Sequence, residues 1–573
     1  MRPFFVALSR ASAVARRVLP RVCRPSTWLI AALVFSAGLS LSAAAPGASS
    51  VPLDSEVPAN ITVTPVVDRW DGRGFLPLRV RIENRGARDL AWTMSFSTGI
   101  GFGGDSLSCD ARLGAKGGET TETVMFVPGV GALGGGQRTT LNIRAEGPGA
   151  ARAWAFLLHG NNEVVLSTAT IPRLEGALFS ATHGAPGDRT EITAVDPSSW
   201  PADWRVWAPF QRVVLTDSEL AALDGARQAA LRDWVAMGGV LDVYPETNRG
   251  REEIESHGLG VTRRRARSLT DEANDAKVAV TLPVSRIHEI YQLYRDRAPM
   301  VPAERRQSLE PKRGTLSVAL FLVGFGVLVG PVNLFVFAPA SRRHRLFFTV
   351  PAISLAASVL LSVYIVVQDG FGGEGAITGT VFLLPETNQA VVTQNQISRT
   401  GVMAGTGFEL ADDVILEQGG ARSGAWPQFD RGERAEFFHR SQGRASGDWF
   451  ASRRVQDQTL KRLAPTRARV ELVSGGQAGE APVVQSSVGA VLREFCYVDE
   501  SGTVWGTNEL APGRKVTLER RVNPVGLGKS HAGYFSALGG AAEGLTPIPT
   551  LSSVRWDAPQ FLFVGPLVGA RKP

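Results

Sequence analysis

Two long apolar runs dominate the hydropathy pattern of the chain. Leu316–Ala338 and Leu346–Val367 hold 23 and 22 residues, and neither contains a charged side chain. A helix of the first run spans about 34 Å at 1.5 Å per residue, which is enough to cross the hydrocarbon core of a bilayer. The loop between the runs, residues 339–345, contains three arginines. The pattern therefore predicts a transmembrane helical hairpin over 316–367 with its arginine-rich turn in the cytoplasm.

Two residues of the first run interrupt an otherwise uniform apolar helix. Pro331 removes one backbone hydrogen bond, and we expect it to kink the helix. Asn333 is polar at membrane depth, and we expect a hydrogen bond to the second helix to satisfy it. These residues fit either a hinge or gate, or a polar contact that holds the two helices together. Two helices without an ionisable side chain cannot build a transport pathway by themselves.

Apolar and polar residues alternate through residues 55–170, with turn signals every eight to twelve positions. Ile61–Val67, Leu78–Ile82 and Thr140–Arg144 are examples. Many short strands at even spacing are typical of an antiparallel β-sandwich. Residues 377–573 return to the same pattern, which predicts a second β-rich, sandwich-like domain after the hairpin.

A different pattern occupies the region between, residues 172–312. Arg212–Thr216 is a short apolar strand of the type found in parallel sheets. A capping box with Glu219 then starts a helix, and two glycines stop it. Val240–Tyr244 follows as the next strand. One β-α-β crossover of this kind predicts a parallel sheet and hence an α/β domain.

Composition and charge change this picture mainly in the first 45 residues. The chain has 573 residues, three cysteines and a formal net charge of +7. Six arginines and no acidic residue lie in 1–45, so the remainder carries +7 less six, or +1. The basicity belongs to a targeting segment, and nucleic-acid binding is not expected. The apolar run Trp28–Ala45 makes 1–45 either a cleaved signal peptide or an uncleaved N-terminal anchor.

The alternation of apolar segments sets the expected topology. With the N-terminus and the turn containing Arg342, Arg343 and Arg345 in the cytoplasm, both large portions face the periplasm from a bacterial inner membrane. Four basic residues before the hairpin disagree, because they lie on the outer side: Arg305, Arg306, Lys312 and Arg313. The amphipathic segment 285–308 leads to this point, and it either lies on the membrane surface or packs against the α/β domain.

Two stretches of the sequence resemble one family. Trp207, Val213-Val-Leu and Leu231-Arg-Asp-Trp-Val-Ala-Met-Gly-Gly-Val-Leu resemble the class I glutamine amidotransferase-like, flavodoxin-type domain of bacterial membrane proteins. Gly330-Pro-Val-Asn-Leu-Phe-Val-Phe, with the arginines and the helix that follow, resembles the membrane hairpin of the same group. The resemblance covers residues from about 60 to 373 in order. It implies a fold and an envelope location, without an established reaction.

The sequence departs from true amidotransferases at the catalytic residue. Acyl transfer in those enzymes needs an activated cysteine together with a histidine and a glutamate. Cys23, Cys109 and Cys496 all lie outside the α/β domain. We therefore expect no catalytic residue there, and we expect His183 and His257 to be surface histidines. Cys109 and Cys496 are either two buried free thiols or a disulfide pair.

A ligand crevice would lie beside Thr216 and Asp217, where the carboxyl ends of parallel strands meet. The alternative is that these residues only cap the following helix. The seven histidines are scattered and aspartate-rich calcium loops are missing, so neither a metal site nor a cofactor is predicted.

Together these features predict a membrane-anchored envelope protein with a non-catalytic amidotransferase-like domain. It would serve as a scaffold, a sensor or a binding protein for a ligand or for protein partners in the envelope. One alternative is an extracytoplasmic hydrolase with an unorthodox nucleophile such as Ser218. Another is an accessory subunit of a membrane complex.

Overall fold

The structure is a computed structural model. It describes residues 49–52, 57–67, 70, 72, 74–100, 106–129, 138–149, 152–159, 164–167, 191–194, 201–210, 212–268, 271, 301–309, 315–402, 405–418, 437–441, 443–450, 452, 455–475, 480–521, 532–546, 548 and 550–570. The predicted leader 1–45 lies outside the described residues, as does most of the amphipathic segment 285–308.

The first strands of the chain form two layers that share one apolar core, and β2 to β8 pair antiparallel within them. They are β1 (Ser49–Pro52), β2 (Ala59–Pro65), β3 (Phe75–Asn84), β4 (Leu90–Ile100), β5 (Ser106–Ala115), β6 (Thr120–Pro128), β7 (Arg138–Glu146) and β8 (Arg152–His159). One layer has the strand order β1-β2-β3-β6, and the other contains β5-β4-β7-β8. Ile61, Val80, Trp92 and Phe96 are buried in the shared core. Of the three segments named from the alternating pattern, Leu78–Ile82 and Thr140–Arg144 lie within β3 and β7, and Ile61–Val67 overlaps β2.

A mixed sheet with two helices follows. Its elements are β9 (Val164–Ser167), β10 (Glu191–Ala194), β11 (Arg212–Thr216), α1 (Asp217–Ala222), α2 (Gly225–Ala236), β12 (Val240–Tyr244), β13 (Glu253–His257) and β14 (Gly260–Arg264). The strand order is β10-β9-β11-β12-β14-β13, in which β13 and β14 pair antiparallel and the other described pairs are parallel. The crossover between β11 and β12 is present, and the bounds of both strands agree with the prediction. The single predicted helix is wrong, because Leu223 adopts an extended backbone after α1 and Asp224 caps a second helix, α2.

The end of α2 shows why two glycines are needed there. Leu231, Trp234 and Val235 form the buried face of the helix. Gly238 has φ +116°, a conformation that glycine adopts without strain. At Gly239 a Cβ atom would lie 2.4 Å from the Trp234 ring, so a larger residue would push the ring away. The predicted helix stop is confirmed.

Two apolar helices long enough to cross a membrane come next, over Ala319–Phe337 and Arg343–Gln368. The elements of this region are α3 (Ala303–Leu309), α4 (Thr315–Val327), a π-helical segment (Leu328–Phe337), a 3₁₀ turn (Ala340–Arg345) and α5 (Leu346–Asp369). Large apolar side chains such as Phe335 and Phe347 are exposed along both helices. The predicted helices are present.

The two interrupting residues of the first helix behave differently from each other. Pro331 lies inside the π-helical segment, whose wider winding tolerates a residue without a backbone N–H. Asn333 is completely buried, but its Oδ1 and Nδ2 have no hydrogen-bond partner within the described part of the chain. The expected hydrogen bond to the second helix is absent there, because burial alone does not bring an acceptor or donor within reach.

Residues after the hairpin are strand-rich, as predicted. They form β15 (Gly373–Leu384), β16 (Gln389–Thr400), β17 (Phe408–Glu409), β18 (Ile415–Gln418), β19 (Phe437–Ser441), β20 (Arg444–Gly447), β21 (Val455–Pro465), β22 (Val470–Ser474), β23 (Val483–Ser486), β24 (Leu492–Val498), β25 (Val504–Leu510), β26 (Lys515–Thr517), β27 (Glu519–Arg520), β28 (Tyr534–Gly539), β29 (Val554–Trp556) and β30 (Gln560–Pro566). Ten of them form a mixed sheet of order β18-β21-β16-β15-β30-β28-β24-β25-β27, with β29 beside β15. A smaller sheet has the order β22-β23-β26.

Three of these strands join the sheet that precedes the hairpin. β19 pairs in parallel with β5, and β20 and β17 continue outward to give the order β17-β20-β19-β5-β4-β7-β8. Sheet hydrogen bonds therefore connect the predicted sandwich of 55–170 with the predicted domain of 377–573.

Portions before and after the hairpin also meet elsewhere. Nε2 of Gln389 donates to Oδ1 of Asp233 at 3.1 Å. The Lys461 ammonium donates to the carbonyl oxygen of Met237 at the end of α2. Leu309 of α3 is buried against strands β15 and β16. Both flanks of the hairpin thus belong to one body, so two helices that cross a membrane would leave both flanks on the same side of it.

Candidate functional site

Thr216 and Asp217, the residues predicted to lie beside a crevice, are found at the carboxyl end of β11, where α1 begins. Thr216 Oγ1 accepts a hydrogen bond from the N–H of Glu219 at 3.3 Å, and the Thr216 N–H donates to Glu219 Oε2 at 2.8 Å. These two contacts form the predicted capping box. The Thr216 hydroxyl is therefore committed to starting the helix.

Asp217 is the second residue predicted to lie beside the crevice, and its carboxylate contacts arginines that follow or end neighbouring strands. Its Oδ2 accepts a hydrogen bond from Nη2 of Arg249 at 2.6 Å, and its Oδ1 lies 3.8 Å from Nη1 of Arg264. Arg249 follows β12 and Arg264 ends β14, so the three side chains extend along the carboxyl edge of the sheet. The Asp217 side chain is 23% exposed. A ligand arriving from solvent can therefore compete for either arginine.

Ser218 completes this edge. Its Oγ donates to Oε1 of Glu246 at 2.5 Å and lies 3.0 Å from Thr216 Oγ1. A carboxylate within hydrogen-bond distance is the first contact that a serine nucleophile needs. His183 lies outside the described residues, and His257 is half-buried in β13 rather than on the surface. Burial lowers the pKa of His257, which favours its neutral form.

We name the side chains of Asp217, Ser218, Glu246, Arg249 and Arg264 the carboxyl-edge cluster. It combines two carboxylates, two guanidinium groups and a hydroxyl, which together suit a polar ligand or a charged segment of a protein partner. Within the described residues no group of three or more His, Cys, Asp or Glu side chains is arranged to hold a metal ion.

A buried ionic cluster lies inside the same sheet, and sequence reasoning missed it. Asp242 of β12 is fully buried, with Nε of Arg212 donating to its Oδ2 at 2.5 Å. Arg263 of β14 lies directly opposite in the register, and its Nε is 3.2 Å from Oδ1 of Asp242. Removing one partner of a buried ion pair typically costs about 3–5 kcal/mol, because the remaining charge is then buried without compensation, so each member of this cluster requires the others. The available signal was a lone aspartate in the apolar strand Val240–Tyr244.

A second polar cluster joins strands from either side of the hairpin. His439 of β19 is the register partner of Ser108 of β5, and its Nδ1 lies 2.8 Å from Ser108 Oγ. Its Nε2 lies 3.6 Å from Oδ2 of Asp110. The side chains of His439 and Asp110 are 28% and 35% exposed, so solvent reaches the cluster. No local sequence pattern links Ser108 with a residue 331 positions away.

The opposite side of these two strands holds a buried thiol beside a buried guanidinium. Cys109 and Arg440 are register partners. Burial raises the pKa of Cys109 to about 12, so its thiol stays protonated. Burial lowers the pKa of Arg440 to about 10, and its guanidinium donates to the carbonyl oxygens of Val414 and Ala411 at 3.0 and 3.1 Å. No disulfide joins Cys109 and Cys496, and only Cys109 is buried, whereas Cys496 is half-buried.

Comparison with known proteins leaves the function open. No protein-family model and no curated protein matches the chain. A cycloisomaltooligosaccharide glucanotransferase of Paenibacillus is similar at a TM-score of 0.16 and 12% identity, over 32% of this chain and 27% of that chain. The yeast delta-COP-I mu-homology domain is similar at a TM-score of 0.17 and 7% identity, over 34% of this chain and 94% of that chain. A Parabacteroides merdae beta-glucuronidase is similar at a TM-score of 0.14 and 9% identity, over 91% and 77%. Scores this low carry no argument about fold or activity.

Proposed function

We propose that the chain is a membrane-anchored envelope protein whose α/β domain is a non-catalytic, amidotransferase-like module that binds a ligand or a protein partner. The observation that carries this proposal is the pairing of β19, after the hairpin, with β5, before it. A single body held at one membrane face by two helices whose apolar runs, 316–338 and 346–367, contain no charged side chain suits a scaffold, sensor or binding protein better than a transporter.

The side of the membrane is assigned by the arginine-rich turn 339–345, which the positive-inside rule places in the cytoplasm. The body then lies on the periplasmic side of a bacterial inner membrane. Four basic residues before the hairpin oppose this assignment, and two of them form ion pairs with residues of the folded body. Arg305 is 2.7 Å from Asp557 and Arg306 is 3.6 Å from Asp457. These ion pairs with the folded body account for the position of the two arginines on the outer side.

Strand order supports the flavodoxin-type assignment of the α/β domain. The antiparallel strand β13 is left out, and β9, β10, β11, β12 and β14 are numbered 1 to 5 by their order in the chain. In the sheet these parallel strands then lie in the order 2-1-3-4-5. Flavodoxin-type sheets have this order, with their ligands at the carboxyl edge beside the switch point between strands 1 and 3. Strand 3 is β11, so Asp217 and Ser218 follow directly at that edge. The amidotransferase nucleophile has no counterpart there, since the domain lacks cysteine.

Partner capture with paired variants tests the binding role. The full-length chain is solubilised from membranes, and co-purifying proteins are identified for the wild type, Asp217→Asn and Asp224→Asn. Asp224 caps α2 away from the edge, and asparagine caps equally well, which makes it a matched control. We expect a partner protein that co-purifies equally with the wild type and with Asp224→Asn. The amount that co-purifies with Asp217→Asn should be about tenfold lower. No partner in the wild type, or equal capture by all three, contradicts the proposal.

The 2.5 Å contact between Ser218 and Glu246 favours the hydrolase alternative at the same edge. In that function Glu246 would accept the serine proton as the nucleophile attacks. Hydrolysis of a panel of esters and amides by the full-length chain, compared with Ser218→Ala, decides this alternative. Turnover that disappears in Ser218→Ala would replace the non-catalytic proposal, and turnover unchanged by that substitution removes Ser218 as the nucleophile.

A further inference from the structure

The side chains of Ser108, His439 and Asp110 lie in a row, with a hydrogen bond between the serine and the histidine and an ion-pair distance between the histidine and the aspartate. The imidazole lies between the other two groups, with Nδ1 facing the Ser108 hydroxyl at 2.8 Å and Nε2 facing the Asp110 carboxylate at 3.6 Å. A proton on Nε2 points that nitrogen at the carboxylate and leaves the Nδ1 lone pair for the hydroxyl. Ser108 then donates to Nδ1 of His439, whereas in the Ser-His-Asp triad Nε2 takes the serine proton; either ring nitrogen acts as a base when it carries no proton.

Sheet geometry holds these groups in place. Ser108 and His439 are register partners, and Asp110 lies two positions further along β5, hence on the same face. β4 pairs with the other side of β5, and β20 pairs with the other side of β19. Both strands are therefore fixed on both edges, and the three side chains project from a rigid support.

The face that carries the three groups is open to solvent. Leu107 and Cys109 point into the core, whereas Ser108 and Asp110 alternate with them and are half-buried. Phe437 lies two positions before His439 on the same face and is 50% exposed. At about 3.3 Å per residue, its position is about 7 Å along the strand from His439. An exposed aromatic side chain at this distance offers an apolar surface to part of a small substrate.

We propose that Ser108 is a nucleophile that hydrolyses small carboxylic esters, with His439 as its general base and Asp110 as a positioning residue. The open sheet face favours an ester whose carbonyl group is reached directly from solvent. The alkoxide of an ester also leaves more readily than the amine of an amide, so the reaction demands less of the site. Phe437 contacts the apolar part of the ester. This activity is separate from the carboxyl-edge cluster.

Each bond and proton of the reaction can be followed. Ser108 Oγ forms a bond to the ester carbonyl carbon while its proton passes to Nδ1 of His439, and Asp110 stabilises the resulting imidazolium. The carbonyl re-forms, the bond to the alkoxy oxygen breaks, and that oxygen takes the proton from His439 and leaves as an alcohol. Water then attacks the acyl-serine, again giving a proton to His439. The carboxylic acid leaves as Ser108 Oγ regains that proton.

Covalent labelling tests the proposal on the detergent-solubilised, full-length chain. A fluorophosphonate probe is applied and the labelled peptide is identified by mass spectrometry, with p-nitrophenyl acetate hydrolysis measured in parallel. The variants are Ser108→Ala, His439→Asn and Asp110→Asn. Asparagine at 439 keeps a hydrogen-bonding atom near Nδ1 but cannot take a proton. Ser97→Ala is the control, because Ser97 is the register partner of Ser108 on β4 and its side chain contacts neither His439 nor Asp110 in any described hydrogen bond.

We expect the label on Ser108, no labelling of Ser108→Ala, and at least about a 100-fold slower hydrolysis by His439→Asn. Asp110→Asn should lower kcat with KM unchanged, and Ser97→Ala should behave as the wild type. Thermal melts confirm that each variant is folded. An unlabelled wild type, a label on another residue, or unchanged labelling of folded His439→Asn overturns the proposal. A label on Ser218 would instead support the hydrolase alternative at the carboxyl edge.

Discussion

Nε of Arg305 lies 2.7 Å from Oδ2 of Asp557, a residue 252 positions later in the chain. Nη2 of the same guanidinium lies 3.0 Å from Oδ1, so the pair is bidentate. Glu374, just after the second apolar helix, lies 3.4 Å from Nη1. The hydrogen bond that Arg305 donates to Asp557 raises the pKa of Arg305. One arginine therefore connects the entrance and the exit of the hairpin to the same body.

We expect Arg305→Ala and Asp557→Asn to destabilise the body non-additively. A bidentate, part-exposed pair is worth about 0.5–1 kcal/mol, and this coupling should shrink in high salt. A double-mutant cycle on the solubilised chain, followed by thermal denaturation, measures it. The exposed pair Arg79–Glu122 is the comparison and should show weaker coupling. Fully additive effects of the Arg305 and Asp557 substitutions would show that the pair does not stabilise the body.

The contact of Lys461 with the end of α2 should make stability depend on pH. Burial lowers the pKa of Lys461 to about 8, so between about pH 8 and 10.5 the folded chain binds fewer protons here than the unfolded chain. Stability from this group therefore rises as pH increases through that window. We expect the melting temperature of the wild type, relative to that of Lys461→Met, to rise between pH 7 and pH 10. A constant difference would contradict this.

Asp499 organises the turn between β24 and β25. Its carboxylate accepts hydrogen bonds from the Ser501 hydroxyl at 2.5 Å, the Thr503 N–H at 2.9 Å and Nε1 of Trp505 at 2.9 Å. Burial raises the pKa of Asp499, but these hydrogen bonds outweigh it and hold the pKa below its usual range. We expect Asp499→Ala to cost about 2–3 kcal/mol of unfolding free energy.

The same carboxylate should stabilise the chain more at neutral than at acidic pH. Because its folded pKa is depressed, its contribution is complete above the ordinary carboxyl pKa of about 4 and is lost as pH falls through the folded value. Denaturant melts of wild type and Asp499→Asn at pH 7 and pH 3 measure this. The gap between them should narrow at pH 3, and a gap independent of pH would refute the assigned role.

Asn333 provides a test within the hairpin. A buried amide without partners costs about 1–3 kcal/mol, so Asn333→Leu should leave the hairpin equally or more resistant to thermal unfolding in detergent. Val332→Leu in the same segment is the control for a change in size. A clear loss of stability for Asn333→Leu alone would mean that the amide binds a group that the described residues do not include.

Local sequence signals predicted a substantial part of this molecule. β11, the Thr216–Glu219 capping box, the glycine stop after α2 and β12 all follow from residues within a few positions of one another. The apolar helices follow from length and absence of charge alone. Local rules are reliable for these elements because the interactions that define them join neighbouring residues.

Contacts between distant segments could not be predicted in this way. β19 pairs with β5 although more than 300 residues separate the two strands in the chain. The hydrophobic periodicity of a strand does not specify which distant strand it pairs with. Asp242 lies in a strand that reads as apolar, and its arginine partners are on other strands. The hydrogen bond expected for Asn333 failed for the same reason, since a helix pattern does not specify what faces the amide across the hairpin.

The most direct test of the account is the membrane topology of the body. Alkaline phosphatase and green fluorescent protein are joined in turn after Pro573 and within the turn 339–345. Since phosphatase is active only outside the cytoplasm, the account predicts an active phosphatase and a dark fluorescent protein after Pro573, and the reverse pattern in the turn. A fluorescent fusion with inactive phosphatase after Pro573 would place the body in the cytoplasm and contradict the proposed envelope function.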